Sequence, residues 1–374
     1  MNHNVAANTF QRILLIKLRH HGDMLLITPV INTLSECYPK AQIDVLMYLE
    51  TQDMLVANPR IHRLITIDRQ WKKQGITAQL CHEYRLLKDI KAQGYDLVIN
   101  LADQWRSALI TALSQAPVRL GFDLPKRQHF FWRYCHTHLV DTTRHATQHT
   151  VEQNLSILDA LQLPTVSTKV SMCYTPSDWE HCQVELSKRN IGKHYIVIQP
   201  TSRWFFKCWS EVKWAEVITA LHQDGYKLVL TSGPDASEQK MVADILAHAP
   251  TDGVISLSGQ LTLRQLASLI DHAVLFLGVD SVPMHMAAAM QTPCIALFGP
   301  SKLTFWCPWQ ASGDIIWAGH YGKLPDPDDI DTQTNQRYLD LIPASDVIAK
   351  ARQQLSREVT CESTCETAIA RQLL

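Results

Sequence analysis

Val274-Leu-Phe-Leu-Gly-Val-Asp-Ser-Val-Pro-Met-His-Met-Ala-Ala-Ala289 decides how the rest of the chain is read. Its first four residues are an apolar run of the length and kind found in strands buried on both faces. A turn with Asp280 and Ser281 follows, and Met284 to Met290 reads as a helix. Pro283 suits the first turn of that helix, where its missing N–H leaves no bond unmade. A strand passing through a short turn into a helix is the repeating unit of a parallel α/β sheet. The unit recurs in both directions. Cys294–Phe298 is a strand that closes the set. Upstream lie strands at Tyr195–Ile198, Lys227–Thr231 and Val254–Leu257, with helices at Trp214–Gln223, Glu238–Ala247 and Leu263–Ile270. An earlier set of strands, Arg12–Lys17, Ile43–Met47, Leu64–Ile67 and Leu97–Leu101, alternates with helices, clearest at Leu25–Tyr38 and Leu80–Gln93. Gln162 to Asp178, with Pro164, Pro176 and several Ser and Thr, reads as a linker. The expected division is one doubly wound lobe over 1–170 and a second over 171–340. A C-terminal helix and tail over 341–374, helical at Asp346–Leu355, would pack back on the lobes.

Bulk properties narrow the function. A length of 374 residues suits two domains. With 46% hydrophobic and 19% charged residues, the chain is globular and not disordered. Lys and Arg number 35 against 36 Asp and Glu, a net charge of -1, so no global field draws it to nucleic acid. An anionic partner must instead meet a local patch. The 10 cysteines are scattered, and Cys361 and Cys365 lack the second pair that a zinc site needs. Such usage fits a reducing compartment. Met1 to Phe10 has no apolar signal-peptide core, and no run approaches the ~20 apolar residues of a membrane span. The expected home is the cytoplasm.

Ligands of open α/β sheets bind beyond the carboxyl ends of the strands, so the loops there hold the candidates. Asp280, Ser281 and Val282 begin a helix, whose free N–H groups suit a phosphate, and His285 falls in its first turn. The same residues suit a plain helix cap. In Gln199-Pro-Thr-Ser-Arg-Trp-Phe-Phe-Lys-Cys-Trp-Ser210, Thr201 and Ser202 offer hydroxyls and Lys207 a mobile charge for a diphosphate, screened by aromatics that include Trp209. The alternative is a packed turn with a solvated lysine. Ser232, Gly233 and Glu238 could hold a nucleoside, Glu238 accepting from ribose hydroxyls, or Glu238 could be an acid favoured in a first helical turn.

In the first lobe, Leu18-Arg-His-His-Gly-Asp-Met24 places Arg19, His20, His21 and Gly22 beside Asp23, a candidate general base or else a helix cap. Its single glycine is not a Gly-x-Gly-x-x-Gly fingerprint, which counts against a nicotinamide enzyme. The segment Arg119 to His149 is basic and aromatic. Arg119, Lys126 and Arg127 there suit an anionic acceptor, or the segment suits an acidic membrane surface, or it is a solvated loop with buried aromatic anchors. His145, His149 and Glu152 could mimic a metal site, and Asp326 to Asp331 has metal-like spacing. Both read better as ordinary surface, and no metal is expected.

Three of these pieces resemble the bacterial heptosyltransferases of glycosyltransferase family nine. Arg19-His-His-Gly-Asp23 resembles the family's Arg-x-x-Gly-Asp loop, Lys207-Cys-Trp209 its Lys-x-Trp, and Gly278 to Pro300 its long Asp-Ser/Thr…His…Leu-Phe-Gly-Pro block. The likeness spans about Arg12 to Pro300. It implies a GT-B fold, two Rossmann-like doubly wound parallel-sheet lobes facing a cleft, with the acceptor lobe first and the nucleotide-sugar lobe second. It implies inverting, metal-independent transfer without a cofactor, with ADP-L-glycero-D-manno-heptose as donor and heptosylated Kdo-lipid A of the lipopolysaccharide inner core as acceptor. Asp23 would be the base, and Lys207 would steady the leaving diphosphate. The Asp280-Ser-Val-Pro-Met-His285 variant points to the branch that adds a side-branch heptose to the second core heptose. Other members of the family and a nucleotide-sugar epimerase of GT-B shape remain the alternatives. Many relatives have Gly where Val282 stands, and Pro283 removes one N–H donor. Contact with the inner membrane would be peripheral.

Overall fold

The computed structural model describes residues Thr9–Arg357. The Cys361/Cys365 pair, and all of the polar N-terminal stretch but Thr9 and Phe10, lie outside them. Two compact units divide between Cys173 and Tyr174.

The first unit holds β1 (Arg12–Ile16), β2 (Gln42–Tyr48), β3 (Arg63–Ile67), β4 (Leu97–Asn100), β5 (Val118–Asp123) and β6 (His138–Asp141) in one sheet, order β3-β2-β1-β4-β5-β6. Every pairing in it is parallel. This is the Rossmann order, with its reversal between β1 and β4. Ile13 to Ile16 are fully buried at that reversal, and each such side chain contributes about 1.5–3 kcal/mol of hydrophobic stabilisation.

The helix expected from Leu25 is two helices, His21–Leu25 and Thr28–Cys37. Pro29 has no N–H to give the Leu25 carbonyl. The Thr28 hydroxyl donates to that carbonyl instead, at 2.8 Å. The linker lies extended along the longer helix. Asn32 donates to the Lys169 carbonyl (2.9 Å), and the Ser171 N–H donates to Thr28 Oγ1 (3.0 Å).

The basic, aromatic segment 119–149 contains most of β5, all of β6 and the helix Phe130–Cys135. Trp132 anchors that helix, buried beneath it and donating to the Phe122 carbonyl at 3.0 Å. His136 packs so close to β5 that a Cβ on Gly121 would fall 2.4 Å from its ring. Its Nδ1–H donates to the Trp132 carbonyl (2.8 Å), so Nε2 accepts from Asn100 Nδ2 (3.1 Å). Burial pushes the imidazole down to about 4, so it is neutral at pH 7.

In the second unit, β7 (Tyr195–Gln199), β8 (Lys227–Leu230), β9 (Val254–Ser256), β10 (Leu275–Val279), β11 (Cys294–Phe298) and β12 (Gly313–Trp317) form another parallel sheet, order β12-β11-β10-β7-β8-β9. The order repeats that of the first unit, with its reversal between β7 and β10. Cys294–Phe298 does not close the set, because β12 pairs beyond it at the edge. Gly313 lets that happen: its φ is +134°, and a Cβ would lie 1.9 Å from the Cys294 carbonyl oxygen. The helix over 344–357 adds Val347, Ala351 and Leu355 to this unit's core. No helix among the described residues is long and apolar enough to cross a membrane.

Candidate functional site

The loops after β7, β8, β10 and β11 meet at the carboxyl ends of the second sheet. Lys207 Nζ donates to Asp280 Oδ2 at 2.5 Å, and Ser301 Oγ donates to the same oxygen at 2.6 Å. Both charged side chains are largely buried, Lys207 at 13% and Asp280 at 7% exposure. The lysine ammonium also lies 4.9 Å from the Trp204 ring centroid, a favourable cation–π distance. An ammonium has three donors, so Lys207 can keep Asp280 and still reach a phosphate oxygen.

Neither Asp280 nor Ser281 caps the helix Val282–Met290. Asp280 is committed to Lys207, and Ser281 Oγ donates to the Val279 carbonyl at 3.1 Å. Among the described residues, neither of the two side chains expected to cap this helix covers the N–H groups of its first turn. Val282 flanks that turn, and His285 lies buried within it, 6.5 Å from the Trp306 ring.

Glu238 is not the cap of its helix either. That task falls to Asp235, which accepts from the Ser237 N–H at 2.9 Å. Glu238 Oε2 instead accepts from Thr201 Oγ1 (2.6 Å) and from the Gly233 N–H (3.1 Å). Thr201 in turn accepts from Gln199 Nε2 (2.9 Å), whose Oε1 accepts from Thr231 (2.7 Å). A chain of hydrogen bonds thus ties the ends of β7 and β8 to one half-buried carboxylate. Ser232 lies beside it, its hydroxyl donating to the Gly233 carbonyl at 2.9 Å and bonding Ser258, as does Ser202, its N–H donating to the Cys208 sulfur at 3.4 Å.

Trp209 stands differently from the expectation. It is fully buried in the core, edge-on to Trp214 at 5.1 Å. With no exposed surface it meets no ligand, and it fixes the Lys207 loop from below. Arg337 braces the loop from above: it pairs with Glu211, covers the Phe205 ring at 4.3 Å and donates to the Trp209 carbonyl at 3.2 Å.

In the first unit, Asp23 lies inside the short helix His21–Leu25 and caps neither helix. It is half-buried, as are His21 and Gly22, while Arg19 and His20 are exposed. Arg19 pairs with Asp103 at 2.8 Å, and Arg127 Nε donates to the Asp103 carbonyl at 2.7 Å. His21 Nε2 bonds the Glu50 carbonyl at 2.8 Å. Beneath the loop, Lys17 is buried with its ammonium on Asn154 Oδ1 at 3.0 Å. Burial lowers the Lys17 pKa, and Asp23 and Asp103 oppose that shift. Lys126 is exposed on the flank. Arg119 is held differently from Arg19 and Arg127. Its guanidinium holds the Ala116 (2.7 Å) and Cys135 (3.0 Å) carbonyls at the amino end of the sheet, away from the loop.

A cavity of about 490 Å³ that the sequence reading did not single out adjoins this loop, lined by Tyr48, Arg69, Trp71, Lys72, Gln104 and Arg106 among others. Gln104 links the two, donating to the Leu18 carbonyl (3.0 Å) and accepting from Tyr48 (3.1 Å). Arg69 covers the Tyr48 ring at 3.9 Å, and Arg106 pairs with Glu83 at 2.5 Å. Arg69-Gln-Trp-Lys-Lys73, just past a strand's carboxyl end, was the available signal.

No group of acids, histidines and cysteines among the described residues is arranged to hold a metal. His149 and Glu152 form a capping box. Asp326 caps a turn whose Asp328 pairs with Lys302 at 2.6 Å.

The family profile described as glycosyltransferase family 9 (heptosyltransferase) matches residues 83–336. A lipopolysaccharide heptosyltransferase 3 of Escherichia coli is 43% identical over 92% of this chain and 99% of its own. Among solved structures, a family 9 glycosyltransferase of Veillonella parvula superimposes with a TM-score of 0.80 at 24% identity, over 95% of this chain and 100% of that one. The ADP-heptose lps heptosyltransferase II of Escherichia coli does so with a TM-score of 0.73 at 21% identity, over 93% and 99%. These likenesses carry the GT-B fold.

Proposed function

Because the chain belongs to glycosyltransferase family 9, the heptosyltransferases, we propose that it moves heptose from ADP-L-glycero-D-manno-heptose to the second heptose of the lipopolysaccharide inner core. The observation that carries this reading is the 43% identity, over 92% of this chain, with a lipopolysaccharide heptosyltransferase 3. Other acceptor positions in the family, and an epimerase reaction, are less favoured for the same reason.

Each unit has its part. In the second, the uncapped start of Val282–Met290 and Lys207 take the diphosphate, and Glu238 takes ribose hydroxyls in place of Thr201. In the first, Asp23 removes the proton of the acceptor hydroxyl. That oxygen forms a bond to the anomeric carbon from the face opposite the diphosphate. The carbon–oxygen bond to ADP breaks, ADP leaves with the electron pair, and the configuration inverts. Lys207 offsets the charge that grows on the leaving oxygen, a preorganised role worth several kcal/mol in other enzymes. Arg69, Lys72 and Arg106 suit phosphate or carboxylate groups on an inner-core acceptor. The work is placed in the cytoplasm, at the inner face of the membrane that carries the acceptor.

The test is transfer from ADP-heptose to a core acceptor bearing two heptoses, with EDTA present, by the wild type and by Asp23→Asn. One heptose added by the wild type, and a loss of about 10²-fold or more in the variant, is expected. No product on this acceptor or its phosphorylated form sinks the proposal.

A further inference from the structure

The helices Trp105–Leu113 and Phe130–Cys135 pack together in the first unit and present an unusual outer face. Phe130 is 82% exposed, Tyr134 67% and Phe131 45%. Trp105, Leu109 and Leu113, spaced four apart on the neighbouring helix, are exposed as well. Ring contacts run within and between the two helices: the Phe131 ring lies 5.9 Å from Trp105, and the Phe130 and Tyr134 rings stack at 6.2 Å. Trp132 and Cys135 point the opposite way and are buried, so the exposure belongs to one side of a well-anchored helix. Contiguous apolar patches on water-facing surfaces mark interaction sites.

Charge decides which kind. Lys126, Arg127 and Arg133 border the patch, set against Asp123, which Arg133 approaches at 3.5 Å. Arg127 lies 4.9 Å over the Trp105 ring. A two-fold contact with a second copy would set one cation-rimmed patch against another of the same sign. Aromatic side chains with cations at their rim instead fit the headgroup layer of an anionic bilayer.

We propose that these two helices form a membrane-docking surface, with Phe130, Phe131 and Tyr134 entering the headgroup layer and the bordering cations meeting anionic phospholipid. The inference deepens the proposed function, in which the acceptor is lipid-anchored. It needs no part of the donor site.

The experiment sediments the full chain with vesicles of phosphatidylcholine alone or with phosphatidylglycerol added. The proteins are the wild type, Phe130→Ser/Tyr134→Ser and Leu109→Ser/Leu113→Ser. Transfer to a delipidated, water-soluble acceptor is measured in parallel. The wild type should bind phosphatidylglycerol vesicles, more weakly as salt rises. Each double variant should lose about tenfold in partitioning while transferring to the soluble acceptor at the wild-type rate. Equal partitioning of variants and wild type, or no vesicle binding at all, overturns the proposal. So does a wild-type dimer that Phe130→Ser/Tyr134→Ser converts to monomer. Vesicle binding without transfer to the soluble acceptor supports the surface and counts against the proposed function, and the converse result does the reverse.

Discussion

Lys207→Met separates the two tasks of the buried pair at the end of the second sheet. Methionine keeps the stem against Trp204 and removes the charge. Asp280, 7% exposed, then retains Ser301 and loses its ion-pair partner. Breaking a buried pair from one side costs about 3–5 kcal/mol at full burial. The remaining hydrogen bond and the 13% exposure of Lys207 bring the expected cost to about 2–3 kcal/mol. For a unit of this size that lowers Tm by about 5–10 °C. Activity should fall further than stability explains, by about 10²–10³-fold in kcat, as when a single preorganised donor is lost. Lys207→Met/Asp280→Asn provides the control. It removes both charges at nearly constant volume, so most of the Tm should return while kcat stays low. The assays are scanning calorimetry and steady-state transfer with saturating acceptor. If the double variant regains kcat along with Tm, Lys207 acts only by holding the loop, and its place at the leaving diphosphate is refuted.

Two further outcomes test the scaffold. Gly313→Ala forces a side chain against the Cys294 carbonyl at a φ of +134°. It should cost about 2–4 kcal/mol, measured by chemical denaturation, and an unchanged midpoint would mean that β12 shifts freely. His136 binds a proton in the unfolded chain below its ordinary value of 6.5 but in the folded chain only near 4. The unfolded state therefore takes up more protons between those values, and stability is lost as pH falls from 6.5 toward 4, by about 3 kcal/mol in all. His136→Gln should flatten the pH dependence of unfolding free energy across that window; an unaltered slope would assign the loss to other groups.

What the sequence disclosed follows burial. The interior strands β1, β4, β7, β10 and β11 are uninterrupted apolar runs with both faces covered, and their pattern is plain. The edge strands β3 and β9 were also read, from short runs of Leu, Ile and Val, whereas the interior strand β5, broken by Arg119 and Gly121, and the edge strands β6 and β12 were not. His138-Leu-Val-Asp141 and Gly313-Asp-Ile-Ile-Trp317 are partly exposed and mix polar with apolar residues, so neither stands out as a strand. Among site candidates, Asp280, Lys207, Thr201 and Glu238 were named from their positions after strands. That Asp280 bonds Lys207 and Ser301, and Glu238 bonds Thr201, was not legible, because those pairs meet only when the loops converge. Trp209 looked like part of a ligand wall because an aromatic cluster in a loop does not reveal which ring turns inward. Arg69 and Arg106 passed unnoticed because the cavity they share is assembled from distant segments.

The break at Pro29 sets a boundary in time as well as in space. A helix running unbroken from His21 to Cys37 would melt as one cooperative body, and Asp23 would move only when the whole did. With the bond to Leu25 handed to a threonine hydroxyl, the short turn can breathe on its own while Thr28–Cys37, fully buried from Thr28 to Leu34, holds still. Amide protons of the turn should exchange with solvent sooner than those of the longer helix. The carboxylate proposed as the base thus rides on a turn that is expected to open ahead of the helix beside it.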